Sequence, residues 1–360
     1  EAPKNDTTKG ALKTAAIEQL AKKDVELVNL VTRLVEANKH ELYRASGGQM
    51  NIDVSTGIIS TPIGIITKDS INEARKLLND LAPYVKTAGG GSFDDKTFIS
   101  KLNDYLMLVP EQVGHAKGWH RHFFTGQADL TKQSTLLDQL DASADLAEAR
   151  KKQAETSHQA TTIATPSLFN TELSIITDPQ VIKMITDKFF TTLNHKHDSA
   201  RAGLKPVRFY EVCLKEDHDA FQKDGAKLGN TKLLWHGTRM FNVLSIMKGG
   251  LVMPNTISTQ AITGAMFGNG IYFSDQSSKS LNYAYGYWDG GPRQTNCFMF
   301  LADVAMGKEY VPSSPYETLP KKGYDSTYAI GGRSGVLNNE FIVYRKSQAN
   351  LRYLVEFDSV

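Results

Sequence analysis

The repeat distance of apolar residues changes once along this 360-residue chain, and that change constrains the fold more than any single motif. From Ala11 to about Tyr43, Ile17, Leu20, Leu27, Val31, Leu34, Val35 and Leu42 recur at spacings near three, four and seven, the period of an amphipathic helix. One long helix is expected there, ended by Gly47-Gly48. Thr67 and Asp69 open a second helical run, Ile71 to Leu81, which Pro83 should stop. After Gly89-Gly90-Gly91 the helical spacing returns in Ser92 to Val109, and again from Leu130 to about Gln153. Beyond the polar stretch TSHQATTIATP the pattern becomes LLW, GIYFS, CFMFLADVA, EFIVY and LRYLVEF, short β-branched or aromatic runs between Gly, Pro and Asn. Helices are expected in this part only over Pro179 to Leu193, Met240 to Lys248 and Ser277 to Tyr287. The chain therefore reads as α+β: an all-helical bundle over residues 1–160, then a strand-dominated, mixed β-sheet domain over residues 161–360.

Several function classes fall on composition. With 41 basic and 39 acidic side chains the formal charge is +2, so no long-range field draws a polyanion, and a DNA-clamping surface is not expected in this segment. Cys213 and Cys297 are too few for a disulfide framework and lack metal-ligand spacing, so no metal is expected. No apolar run approaches the roughly 20 residues that span a bilayer, and EAPKNDTTKG has no signal-peptide core, so an intracellular, membrane-free chain is expected. It begins at Glu1 without Met and so reads as a piece of something longer; the sequon Asn5-Asp6-Thr7 is taken as chance.

Known nucleotide and nucleophile motifs do not fit. Gly268-x-Gly270 lacks a third glycine, since Phe273 stands in its place, and it precedes a strand where a dinucleotide fingerprint follows one. There is no GxxxxGK[ST], and Gly332-Arg-Ser334-Gly335 is not a GxSxG elbow. Four dispersed residues remain: His236 in LLWHGTRMF, Tyr272 in GIYFS, Tyr283 in SKSLNY and Glu340 in NNEFIVY. Taken alone, His236 fits a packed core position as well as a binding site, and the tyrosines fit a core.

Read together, WHGT, GxMFGxGIYFS, SKSxNY and NEFIVY resemble, in order and spacing, the catalytic domain of the poly(ADP-ribose) polymerases over about residues 165 to 360. The helical half is similar too, through TPIGIITKDSINEA, LNDYLMLVPEQVG and residues 131–150. The resemblance implies a helical regulatory domain fused to an ADP-ribosyltransferase domain, as in the DNA-damage-responsive subgroup. It implies NAD as substrate with no metal, protein acceptors including the chain itself, nuclear residence, and contact with DNA only through modules outside this chain. An upstream module would relieve an inhibitory helical lid.

Such an enzyme breaks the bond between ribose and nicotinamide through an oxocarbenium-like transition state. The pyridinium leaves neutral, so no general acid is needed and one carboxylate that stabilises positive charge suffices. By resemblance, Glu340 is that carboxylate and His236 donates to a ribose hydroxyl. Tyr272 and Tyr283 stack the nicotinamide, Gly237 and Ser280 bind its carboxamide, Thr238 flanks them and Lys279 lines the site. Gly270 and Phe273 complete the resemblance-derived NAD contacts. The chain departs from the family's pattern at Ala265, Val252 and Asn338 and is short between Lys321 and Asn338, although GYDSTYA resembles a donor-loop segment. Retention of His236, Tyr272 and Glu340 favours polymer synthesis. Mono-transfer, NAD hydrolysis and a silent NAD-binding scaffold are the other readings.

Overall fold

The computed structural model describes residues 11–45, 50–53, 58–61, 64–86, 95–109, 111, 120–124, 126–156, 169–251, 266–287, 293–315 and 317–359. Gly47-Gly48, Gly89 to Gly91, residues 157–166, Val252, Ala265 and the sequon near the start lie outside them. Compact unit one runs to Phe169 and unit two from Asn170, and the architecture is α+β as expected.

In the first unit the single helix expected from Ala11 to Tyr43 is two. Helix α1 (Ala11–Ala16) runs on as a π turn over Ile17–Ala21 and ends where Lys22 and Lys23 take positive φ, 47° and 75°. Helix α2 (Val25–Ala45) then starts on a cap: Asp24 Oδ1 accepts the N–H groups of Glu26 and Leu27 at 2.9 and 3.1 Å. Left-handed backbone and a satisfied cap end one helix and begin another without breaking the apolar stripe, so periodicity alone does not show the join. Asp24→Ala is expected to destabilise this unit by about 1 kcal/mol, read as a lower thermal midpoint.

A small antiparallel sheet, β1 (Asn51–Asp53), β2 (Ile58–Thr61) and β3 (Gly64–Ile66), precedes helix α3 (Lys68–Lys86) and is an addition to the expected bundle. Helix α3 also passes through Pro83 instead of stopping there. Proline removes one backbone donor near the helix end but keeps a helical φ, and the burial of Leu81, Ala82 and Val85 on both sides of it holds the last turn. Helices α4 (Lys96–Leu108), α5 (His120–Phe123) and α6 (Gln127–Thr156) follow. Ile71, Leu78, Leu81, Phe98, Leu102, Leu137 and Leu140 form the core between α3, α4 and α6. Lys68 pairs with Asp141 and Asp145 at 2.6 and 2.7 Å, and Arg75 with Asp138 at 2.7 Å, across α3 and α6.

The second unit holds two sheets. The larger has the order β4 (Thr171–Ile175), β5 (Leu204–Leu214), β12 (Ala349–Ser359), β8 (Asn296–Ala305), β6 (Thr231–Thr238), every neighbour antiparallel. The smaller has the order β7 (Ile271–Phe273), β11 (Glu340–Val343), β10 (Ser326–Ala329), β9 (Glu309–Tyr310), with β9 and β10 parallel. Strand β8 is buried on both faces, which is why CFMFLADVA reads as an unbroken apolar run. Its Cys297, Met299 and Leu301 join Trp235, Val355 and Phe357 under Ile185 and Phe189 of α7 (Pro179–Thr191) and Leu281 and Ala284 of α11 (Ser277–Tyr285). Helix α7 is capped by Asp178, whose Oδ1 accepts Gln180 N–H at 2.8 Å. Helices α8 (Asp198–Arg201), α9 (Lys215–Ala220) and α10 (Met240–Gly249) also lie in this unit; of these only α10 is expected from the sequence, since the other two are single short segments.

Candidate functional site

The two sheets of the second unit join at one narrow pair: Trp235 N–H donates to Ser274 O at 2.9 Å and Ser274 N–H to Trp235 O at 3.0 Å. This places His236 and Gly237 of β6 beside Tyr272 and Phe273 of β7. Helix α11 begins three residues later and packs on β6, bringing Lys279, Ser280 and Tyr283 to the same corner. Gly237 is forced by that packing: a Cβ there would sit 1.8 Å from the backbone oxygen of Ser280. Gly270 is likewise forced by β11, where a Cβ would meet Ile342 Cγ2 at 2.3 Å.

His236 Nδ1 lies 3.0 Å from Tyr272 O. A carbonyl only accepts, so the proton is on Nδ1. Burial pushes the imidazole pKa down, so the ring is neutral near pH 7 and Nε2 carries a lone pair. With the proton on Nδ1, the other ring nitrogen, Nε2, is an acceptor. The ring of Phe273 lies 5.6 Å from the imidazole, and Phe273 is only 2% exposed, so it backs His236 and offers no face to a ligand. Thr238, buried, closes β6 opposite Phe298.

Tyr272 donates its hydroxyl to Gly268 O at 2.8 Å and receives Phe267 N–H at 3.0 Å, tying the 266–268 segment to β7. Its phenol is pushed far up, first by burial. Burial, then the charge of Glu340, pushes the Tyr283 phenol up to about 12, while the residue stays 41% exposed. Ser280 donates its hydroxyl to Trp235 O at 3.3 Å, which leaves the oxygen as an acceptor.

Glu340 opens β11, across from Ala329. Lys279 Nζ stands 2.5 Å from its Oε2 and donates to Asn339 O at 2.8 Å, with the two charged side chains 11% and 15% exposed. Burial pushes the Glu340 carboxyl up, against the pull of Lys279, and pushes the Lys279 ammonium down, against the pull of Glu340. A near-buried carboxylate with one cation as partner is suited to stabilising developing positive charge, because its field is weakly screened.

The geometry thus gathers His236, Gly237, Tyr272, Lys279, Ser280, Tyr283 and Glu340 in one corner and sets Gly270 and Phe273 behind it as packing. Two polar residues of the corner were missed by sequence reasoning. Asp275 Oδ2 accepts Asn339 Nδ2–H at 2.7 Å, and Asn339 Oδ1 accepts Gly331 N–H at 2.9 Å. The available signal was position: one lies just before a helix, the other beside Glu340. Behind α11, Ser278 Oγ receives Asn194 N–H and meets His197 Nδ1, each at 2.8 Å, and Asn282 Oδ1 receives Ser199 N–H at 2.9 Å. These bonds anchor the helix that carries Lys279. Among the described residues, no group of three or more His, Cys, Asp or Glu gathers as metal ligands, and no helix is long and apolar enough to cross a membrane.

Residues 182–334 match the family model for the poly(ADP-ribose) polymerase catalytic domain. The chain is 26% identical over 366 residues to the human protein mono-ADP-ribosyltransferase PARP3, covering 88% of this chain and 62% of that protein. It is 32% identical over 180 residues to human poly [ADP-ribose] polymerase 2, covering 41% of this chain and 29% of that protein. A putative poly [ADP-ribose] polymerase-like protein 100L of invertebrate iridescent virus 6 is 29% identical over 175 residues, 45% of this chain and 92% of that protein. The chain therefore spans about three fifths of the length of human PARP3.

Proposed function

We propose that this chain, whose residues 182–334 match the poly(ADP-ribose) polymerase catalytic domain, is an NAD-dependent ADP-ribosyltransferase. It cleaves the nicotinamide N-glycosidic bond of NAD and transfers ADP-ribose to protein acceptors, itself included, and to a growing polymer. The observation that carries this reading is the Lys279–Glu340 pair, nearly buried and brought to the same corner as His236, Tyr272 and Tyr283.

In this reading Glu340 stabilises the oxocarbenium-like ribose and orients the acceptor hydroxyl. Tyr272 and Tyr283 flank the nicotinamide ring, the backbone of Gly237 and the oxygen of Ser280 bind its carboxamide, and Nε2 of His236 accepts from a ribose hydroxyl. Because the leaving nicotinamide is neutral, no side chain has to protonate it. Lys279 pulls the Glu340 pKa down, against the upward push of burial. Lys279→Met removes that offset, so the Glu340 pKa rises further. Transfer needs the ionised form, so the acid limb of the pH–rate profile for nicotinamide release should move to higher pH; an unmoved limb would sink this role for Lys279.

Labelled NAD tests the function directly. A labelled smear on a denaturing gel supports polymer synthesis, a discrete shift supports mono-transfer, and free ADP-ribose without protein label supports hydrolysis. Mono-transfer has one observation of its own: the relative aligned over 88% of this chain is named a mono-ADP-ribosyltransferase. The helical unit is read as autoinhibitory, since it is a helical bundle fused to the transferase and brings no clustered chemistry of its own. A chain trimmed to residues 160–360 should then turn over NAD faster than the full chain, and equal rates would remove the idea. Nuclear residence and a part in the DNA damage response are proposed on the resemblance of the chain's motifs to the DNA-damage-responsive subgroup.

A further inference from the structure

Glu340 sits at a corner of its sheet where backbone pairing gives little support. Strand β11 pairs with β7 only from Phe341 onward, and with β10 only from Glu340 itself. Asn339, one residue earlier, lies outside the strand yet is held on three sides. Its amide nitrogen donates to Asp275 Oδ2 at 2.7 Å, its amide oxygen accepts Gly331 N–H at 2.9 Å, and its backbone carbonyl accepts Lys279 Nζ at 2.8 Å. The same ammonium ends 2.5 Å from Glu340 Oε2. Asp275 stands in the turn between β7 and α11, and its other oxygen, Oδ1, is buried with no hydrogen-bond partner among the described residues. An orphaned buried oxygen is costly and is kept where geometry demands it.

We propose that Asp275 is a positioning residue for the transfer: through Asn339 it fixes where Lys279 and Glu340 meet, extending by side chains the pairing that the strand lacks. This rests on the reading of Glu340 as the catalytic carboxylate. Displacing a catalytic group by about 1 Å costs on the order of 10²-fold in rate, so the clamp acts on turnover and leaves ground-state binding of NAD almost unchanged.

The experiment measures kcat and KM for nicotinamide release by the full chain, with thermal midpoints, for wild type, Glu340→Gln, Asp275→Ala, Asp275→Asn, Asn339→Asp and the double variant Asp275→Ala/Asn339→Ala. Asp275→Ala is expected to lower kcat about tenfold or more with KM within about twofold and the midpoint nearly unchanged. Asp275→Asn keeps an oxygen for the Asn339 amide and should recover most of the loss. The double variant loses the Asp275–Asn339 bond and also the one from Gly331 N–H to Asn339 Oδ1, so its loss of kcat should be at least as large as the single's, and wild-type kcat in it overturns the proposal. If alanine at 275 prevents folding, Asn339→Asp carries the test, since it keeps the size and sets carboxylate against carboxylate; wild-type kcat in that variant overturns the proposal. So does unchanged kcat in Asp275→Ala, an Asn variant no better than Ala, or a rate loss that follows the midpoint. No NAD turnover in the wild type, or unchanged turnover in Glu340→Gln, overturns the functional reading and this inference with it. An active wild type and a silent Glu340→Gln beside a fully active Asp275→Ala overturn the inference alone.

Discussion

Replacing Glu340 by glutamine should lower the rate of nicotinamide release on the order of 10³-fold, with the affinity for NAD changed by no more than about threefold. Glutamine keeps the size of the side chain and an oxygen for Lys279 Nζ, which now stands 2.5 Å away, so packing survives and only the charge is lost. Charge is what the proposed step needs. The ribose becomes positive only in the transition state, so a carboxylate at that point favours the transition state over bound NAD. Its weight comes from burial: at 15% exposure, with one cation beside it, the field of Glu340 is little screened. Isothermal titration with NAD and a stopped assay for nicotinamide separate the two effects. A variant that still transfers at the wild-type rate would remove Glu340 from the chemistry.

Gly237→Ala should be strongly damaging to the second unit. The new Cβ would fall 1.8 Å from Ser280 O and 2.6 Å from Ser280 C, both backbone atoms that cannot turn aside. Either β6 or α11 has to move, and overpacking of this kind destabilises by about 3 kcal/mol. The shift would also part His236 from the helix that carries Lys279 and Tyr283, so NAD binding and thermal stability should fall together. A calorimetric midpoint within a degree or so of wild type would mean that the helix can slide at little cost. Gly237 was expected to be glycine because a ligand approaches it closely; the helix behind it already forbids a side chain.

Much of the site is legible in the chain because its parts are short and contiguous. WHGT, GIYFS, SKSLNY and NNEFIVY each lie on one element or one turn, so a motif read as a string is also a piece of structure. The elements that were missed are those whose local pattern is mixed. Strand β5 contains Pro206 and alternating charge, and it is a strand because β4 and β12 pair with it on both sides. The short α8 and α9 are held by tertiary contacts and have too few residues for a period to show. In the first unit, the break at Lys22 and Lys23 leaves the apolar stripe intact and is marked only by the cap at Asp24.

By itself the sequence determined the order of a helical and a strand-rich part and the strands that carry apolar runs, because period and turn residues are local properties; the residues expected at the site came from the resemblance of four short motifs to the poly(ADP-ribose) polymerase catalytic domain. Tertiary structure alone decided which nitrogen of His236 holds the proton, why positions 237 and 270 admit no side chain, and that Lys279 and Asn339 support Glu340. Those outcomes depend on burial and on distances of a few ångströms between residues far apart in the chain, 36 residues between His236 and Tyr272 and 60 between Lys279 and Asn339, and a carboxylate's charge, an imidazole's tautomer and a glycine's necessity are set by what the fold brings against them.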